Sequence, residues 1–363
     1  MNIEKIDPNF KLNESIPADT EFFDPRRAPF SIWGLAKNDE GSYCRLPLSM
    51  LPECSEGVQG LAFHLAGGCV RFSTDATQIS VVWKLRGAGN MGHFAASGQS
   101  GLELVEETNG NIRAVQTLVP QMNPDGCGCA LEQSRLIALK GEGMRSYALY
   151  LPLYNGVTEL LIGLPPKSCL EEGRTPAFEK PILFYGSSIT QGGCASKVCN
   201  AYTHVLARRL DAALCNLGFS GNGRGEQNMA RYIASLPMSA FVLDYDHNAP
   251  SVEHLEATHE AFFRTVREAQ PDLPVIMVSK PDFDTNPGST VEVNARRREV
   301  IRRTYQNALD RGDRHVWFVD GETFFGERER FDCAVDGCHP TDLGFRRMAD
   351  VLEPVLREAL GLK

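Results

Sequence analysis

Five short apolar runs, at 182–185, 213–217, 240–245, 275–279 and 316–319, constrain this chain more than any other feature of its sequence. Each has the length of a strand and is apolar almost throughout, as a strand covered on both faces must be. Helical patterns are expected between and after them, over about 199–212, 225–235, 251–269, 290–311 and 341–360. Strands alternating with helices build a parallel, doubly wound sheet in three layers. Ligands of such sheets sit beyond the carboxyl ends of the strands, so chemistry is to be sought just after each run.

The first half has a different rhythm. From about 26 to 165, runs at 61–65, 79–85, 102–105, 112–118 and 147–153 are separated by Gly, Asn and Asp turns. No helical pattern of ten or more residues interrupts them. A separate all-β domain, a sandwich of jelly-roll type, is expected. The four prolines and mixed charges of 164–181 mark a linker. The expected organisation is an N-terminal extension at 1–25, a β domain at 26–165, a linker at 166–180 and an α/β domain at 181–363.

Composition removes several classes of function. The net charge of −9 argues against a nucleic-acid partner, which would need clustered Lys and Arg. The densest basic run, Arg296, Arg297, Arg298, Arg302 and Arg303, is read as a solvated helix face. No run approaches the roughly 18 apolar residues of a membrane span, and no secretory signal is read at the N-terminus. Eleven cysteines, an odd number, then imply free thiols and a cytoplasmic location. Cys127-Gly128-Cys129 lacks a second pair, so no zinc site is expected there; no metal or organic cofactor is expected.

Four segments lie at the expected strand ends. Gly186-Ser187-Ser188-Ile189-Thr190 allows a tight strand-to-helix turn that can present the Ser188 hydroxyl, although a capping turn or a flavin-phosphate loop reads similarly. The glycine-rich 216–223 loop frees backbone N–H groups of the kind an oxyanion hole requires. Asn248 can offer a side-chain amide to the same end, while no Asp stands at a spacing that would orient the nearby His247. Asp336-Gly337-Cys338-His339 sets a carboxylate three residues before an imidazole on one turn, a spacing that lets both face one cleft. Together these segments fall in the order that surrounds a single site.

Taken together, the segments resemble the SGNH/GDSL hydrolase superfamily. Gly186–Thr190 is similar to its first block, Gly221 to the glycine of the second, Asn248 to the asparagine of the third, and Asp336 with His339 to the final D-x-x-H. Gly101-Leu102-Glu103-Leu104 loosely resembles the G-x-D-L-Y signature of a β domain that precedes some bacterial SGNH esterases of the carbohydrate acetylesterase kind. Two departures stand out: Ser187 replaces the usual Asp of the first block, and Ala249 rather than Asp follows Asn248.

The resemblance implies a flavodoxin-like SGNH fold and a serine esterase in which Ser188 is the nucleophile, His339 the base and Asp336 its orienting group. Ser188, Gly221 and Asn248 would form the oxyanion hole. The expected substrate is a small-molecule or oligosaccharide ester, most simply an acetyl ester, and a homo-oligomer is compatible with the sequence. Rival readings are an acyltransferase on the same fold, a flavodoxin-like nucleotide or flavin binder, and a non-catalytic carbohydrate-binding protein. Trp33, Trp83 and His93 are open candidates for the pocket rim, with a structural role the plainer reading for His93.

Overall fold

In the computed structural model, which describes residues 15–38, 41–108, 111–281 and 290–362, ten strands precede the α/β half. They are β1 (Glu21–Phe23), β2 (Ser31–Trp33), β3 (Cys69–Thr74), β4 (Gln78–Leu85), β5 (Leu102–Thr108), β6 (Asn111–Leu118), β7 (Glu132–Ala138), β8 (Arg145–Tyr150), β9 (Val157–Leu164) and β10 (Leu170–Glu172). One antiparallel sheet has the order β1-β9-β4-β7; the other runs β10-β3-β8-β5-β6, with β2 also on β3. Alternation fills the space between the sheets. Ile79, Val81, Trp83 and Leu85 of β4 meet Leu102, Leu104, Tyr147 and Leu149 from the facing sheet in one apolar core. Trp83 is 1% exposed there and cannot serve a pocket rim.

The second sheet is buried on both faces. Cys69, Val105, Ala148 and Tyr150 point away from the sandwich and pack with Val198, Ala201, Tyr202 and Val205 of the α/β half. Burial on two sides accounts for the apolar run 147–150 of β8, while β3 and β5 bury charged residues as well, Arg71 of β3 forming an ion pair with Glu107 of β5. The carboxylate of Glu103 crosses the same boundary. It is 1% exposed and takes the backbone N–H of Cys199 at 2.8 Å and the Lys197 ammonium at 2.6 Å.

The α/β half carries β11 (Phe178–Gly186), β12 (Ala212–Gly218), β13 (Ala240–Asp244), β14 (Val275–Val278) and β15 (Val316–Val319), all parallel. Their order, β12-β11-β13-β14-β15, is the 2-1-3-4-5 order of flavodoxin-like folds. The longer helices are Tyr202–Arg209, Gln227–Ser235, Val252–Ala269, Val291–Asp310 and Asp342–Ala359. One apolar core lies on each side of the sheet: Phe184, Val242 and Ile276 face Tyr202, Phe345 and Met348, while Tyr185, Phe241 and Met277 face Phe262, Phe263 and Ile301.

Four expectations need correction. The 61–65 run is no strand: Ser55 accepts the Val58 N–H, caps a helix at Glu56–Leu61, and turns follow. The local cap outweighs the apolar run. Within the segment read as a linker, Leu170–Glu172 adds a strand to β3 and Phe178 already begins β11. Within the segment read as an N-terminal extension, β1 pairs with β9; residues 1–14 lie outside the described residues. Finally, Arg297 is not solvated. It is 6% exposed and binds Asp246 Oδ1 at 2.7 Å and the Ala249 carbonyl at 3.0 Å, whereas Arg296 and Arg303 make exposed ion pairs with Glu253 and Glu256.

Candidate active site

The turn after β11 is set by small residues. A Cβ on Gly186 would stand 2.1 Å from Thr190 Oγ1 and 2.3 Å from the Asp244 carbonyl, so only glycine fits. Ser187 then caps the short helix Ser188–Gln191. Its hydroxyl accepts the Ile189 N–H, and Thr190 Oγ1 accepts the Ser187 N–H in return. A serine thus does locally what an Asp at this position would do. Ser188 emerges 8% exposed. Its backbone carbonyl accepts the Gly192 N–H at 3.0 Å, the Gly193 N–H at 2.8 Å and the hydroxyl of Tyr154, from the β half, at 3.0 Å.

On the last turn, Asp336 Oδ1 accepts the backbone N–H groups of Cys338 at 3.0 Å and His339 at 2.7 Å. Its other oxygen holds His339 Nδ1 at 2.8 Å. Burial pushes the Asp336 carboxyl up, but the His339 backbone and ring bonds outweigh this and leave it below its ordinary value. His339 Nε2 lies 2.9 Å from Ser188 Oγ. The hydroxyl of the first α/β turn and the imidazole of the last are in direct contact.

Two loops flank this pair. The one after β12 hangs from the Ser188 turn, with Phe219 N–H on the Gly186 carbonyl at 2.9 Å and Ser220 N–H on Gln191 Oε1 at 3.0 Å. Gln191 is held in turn by the Leu153 carbonyl at 3.0 Å and by His64 Nδ1 at 3.2 Å. Burial, with Arg45 and Arg86 nearby, pushes the His64 imidazole down to about 4, so it is neutral and can accept that amide. Gly221 has φ +68°, and a Cβ there would meet nothing within 4 Å. Its glycine therefore answers the left-handed backbone and not crowding. Asn248 gives one amide hydrogen to the Phe219 carbonyl at 2.8 Å. Its turn is gripped from below by Arg297 on Asp246.

Every residue singled out by spacing therefore lies on the carboxyl side of the sheet. His247 contacts Cys338 Sγ at 3.9 Å, and the Ser188 hydroxyl is met by His339. His93 reaches the site from the β half, its ring centroid 5.9 Å from that of His339. Gln191 lies in the 186–192 segment singled out after the first strand, without a role read for it, and no local motif marks Tyr154 or His64. A cavity of about 520 Å³ lined by Arg267, Pro271, Arg311 and His315 lies at the amino ends of β14 and β15, away from this chemistry.

Residues 179–357 match the GDSL-like Lipase/Acylhydrolase family, and residues 20–170 match the N-terminus of the SGNH-hydrolase-type esterases that carry the GxDLY domain. The chain belongs to the GDSL/SGNH hydrolases. It is a carboxylic ester hydrolase of that type. Among solved structures it is similar to a GDSL-like lipase from Bacteroides ovatus, with 26% identity, a TM-score of 0.84 and coverage of 95% of this chain and 99% of that one. A salicylyl-acyltransferase from a tetracycline biosynthetic pathway is 18% identical with a TM-score of 0.77, over 96% and 100% of the two chains. An acetyl xylan esterase from the rumen bacterium Butyrivibrio proteoclasticus is 15% identical with a TM-score of 0.57, over 95% and 99%. No curated protein matches the chain. Among the described residues no helix is long and apolar enough to cross a membrane.

Proposed function

We propose that this esterase hydrolyses short-chain acyl esters, acetyl esters first among them, on a carbohydrate, by a Ser188–His339–Asp336 acyl-enzyme mechanism. The observation that carries the reading is the continuous relay from Ser188 Oγ to His339 Nε2 at 2.9 Å and from His339 Nδ1 to Asp336 at 2.8 Å. His339 takes the Ser188 proton as Oγ attacks the ester carbonyl, then returns it to the departing alcohol; water repeats the sequence on the acyl-enzyme. Asp336 fixes the Nδ1–H tautomer and stabilises the imidazolium. The backbone N–H groups of Ser188 and Gly221, with the second amide hydrogen of Asn248, serve the oxyanion. The carbohydrate part rests on the fold shared with the acetyl xylan esterase.

Ser188→Ala should lower p-nitrophenyl acetate turnover by on the order of 10⁶, as in a comparable triad. Retention of most of the activity by the purified variant would refute the mechanism. A panel of acetylated sugars tests the substrate, and failure of every sugar ester with p-nitrophenyl acetate still turned over would refute the carbohydrate assignment alone.

A second reading, acyl transfer to an alcohol in place of water, is favoured by the full-length likeness to the salicylyl-acyltransferase. Product analysis with an acceptor alcohol present separates the two. Covalent labelling of Ser188 by a serine-directed phosphonate, with no bound flavin colour, disposes of a flavin-binding role. Sugar binding without ester turnover would instead favour a non-catalytic binder.

A further inference from the structure

We propose that a thiophilic divalent cation of the Zn²⁺ type binds between His93, Cys194 and His339 and reversibly shuts the site by occupying the nitrogen that Ser188 needs. One ligand atom from each of these residues lies within 4.8 Å of the other two. The three come from separate places: a β-domain loop, the turn after the Ser188–Gln191 helix, and the last turn before the C-terminal helix. One thiolate and two imidazoles are a donor set that Zn²⁺ favours, and three protein ligands leave a fourth position open.

Bonds of about 2.3 Å to sulfur and about 2.0 Å to nitrogen bring tetrahedral ligand atoms closer than the spacing seen here. The side chain free to move inward is His93, which is exposed. Cys194 is 8% exposed on a backbone with φ +73°, and His339 is fixed by Asp336. Because Asp336 holds Nδ1, the nitrogen left for a metal is Nε2. Its neighbour Cδ2 faces the Cys194 segment, 3.2 Å from where a Cβ on Gly193 would stand. In a second grouping, Asp336, Cys338 and His339, the carboxylate is already engaged by the Nδ1 of the same ring and by two backbone N–H groups. On binding, the Cys194 Sγ–H bond breaks, its proton passes to solvent, and an Sγ–metal bond forms. The Nε2 lone pair goes to the metal and no longer accepts the Ser188 proton.

The inhibitory half rests on His339 acting as base; the binding half does not. Chelator-stripped protein is therefore titrated with Co²⁺, a spectroscopic stand-in for Zn²⁺. Wild type should show near-ultraviolet thiolate-to-Co²⁺ absorption that Zn²⁺ displaces. Cys194→Ser, whose side chain tolerates the same backbone no worse, should lose it. His93→Asn, on an exposed side chain, should keep the band but bind Co²⁺ at least about tenfold more weakly. In parallel, Zn²⁺ should suppress p-nitrophenyl acetate hydrolysis, EDTA should restore it, and Cys194→Ser should raise the half-inhibiting Zn²⁺ concentration at least about tenfold.

Absence of the absorption from wild type overturns the site whether or not the ester is hydrolysed. A half-inhibiting concentration equal in wild type and Cys194→Ser overturns it as the route of inhibition. The absorption in a protein without esterase activity supports the site and refutes the esterase mechanism instead.

Discussion

Asp244, at the carboxyl end of β13, is 3% exposed. The hydroxyls of Tyr202, at 2.7 Å, and Thr190, at 2.9 Å, both meet its Oδ2. Burial pushes the carboxyl up to about 7 against the lowering effect of these bonds, whereas its ordinary value is 3.8. Between those values the folded chain keeps a proton that the unfolded chain has released. Stability from this group therefore falls as pH rises through the window, and the loss is complete above it. At 1.36 kcal/mol per pH unit the loss is about 4 kcal/mol. Asp244→Asn offers a carbonyl to both hydroxyls and has no charge to bury, but its NH₂ adds a donor that costs about 1–3 kcal/mol if unmet. The variant should exceed wild type by about 1–3 kcal/mol at pH 8 and fall below it by about the same amount at pH 4. Urea unfolding at several pH values measures this, provided that the slopes of the two proteins agree. Parallel wild-type and variant curves from pH 4 to 8 would refute the reasoning. Because Thr190 keeps its partner, ester hydrolysis at neutral pH should stay within a few-fold of wild type.

Two substitutions probe the relay itself. In Asp336→Asn one side chain must satisfy both the backbone donors on Oδ1 and the Nδ1–H on Oδ2, and its NH₂ favours the wrong imidazole tautomer. Because the Asp336 side chain is 38% exposed and water can replace part of its function, kcat should fall by about 10²–10⁴ with KM little changed; a loss under threefold would remove Asp336 from the mechanism. Tyr154→Phe deletes one of three donors to the Ser188 carbonyl, worth about 0.5–1.5 kcal/mol, so kcat should drop about 2–10-fold at constant KM. A wild-type kcat would show that the Tyr154 hydroxyl does not position Ser188.

The α/β half was legible because its physics is local. A parallel strand buried on both faces is an uninterrupted apolar run, and the tight turn after it needs Gly186, which no larger side chain can replace. Asp336 and His339 were legible for the same reason, since one turn sets their separation. Contacts between distant segments leave no such trace. Nothing around Tyr154 says that its hydroxyl will reach the Ser188 carbonyl, 34 residues along the chain. Nothing in an arginine-rich helix says that Arg297 will turn inward to Asp246 while Arg296 stays in solvent. The 61–65 run misled because Leu61 ends a helix that Ser55 starts and turns follow it, and a short apolar run does not tell strand from helix.

These long-range contacts also bear on why the two halves travel together. Gln191 fixes the Ser220 N–H, and so the loop bearing Gly221, but Gln191 is itself held by Leu153 and His64 of the β half. The Ser188 carbonyl has two donors from its own turn and a third from the same half, Tyr154. Glu103, in the segment similar to the G-x-D-L-Y signature, ties its sheet to the Lys197–Cys199 segment that follows the nucleophile helix. An acidic residue at that place is thus satisfied by groups of the α/β half, and its 1% exposure would be costly without them. The β domain is therefore part of the frame behind Ser188, attached through His64 and Leu153 to Gln191, through Tyr154 to the Ser188 carbonyl and through Glu103 to the Lys197–Cys199 segment.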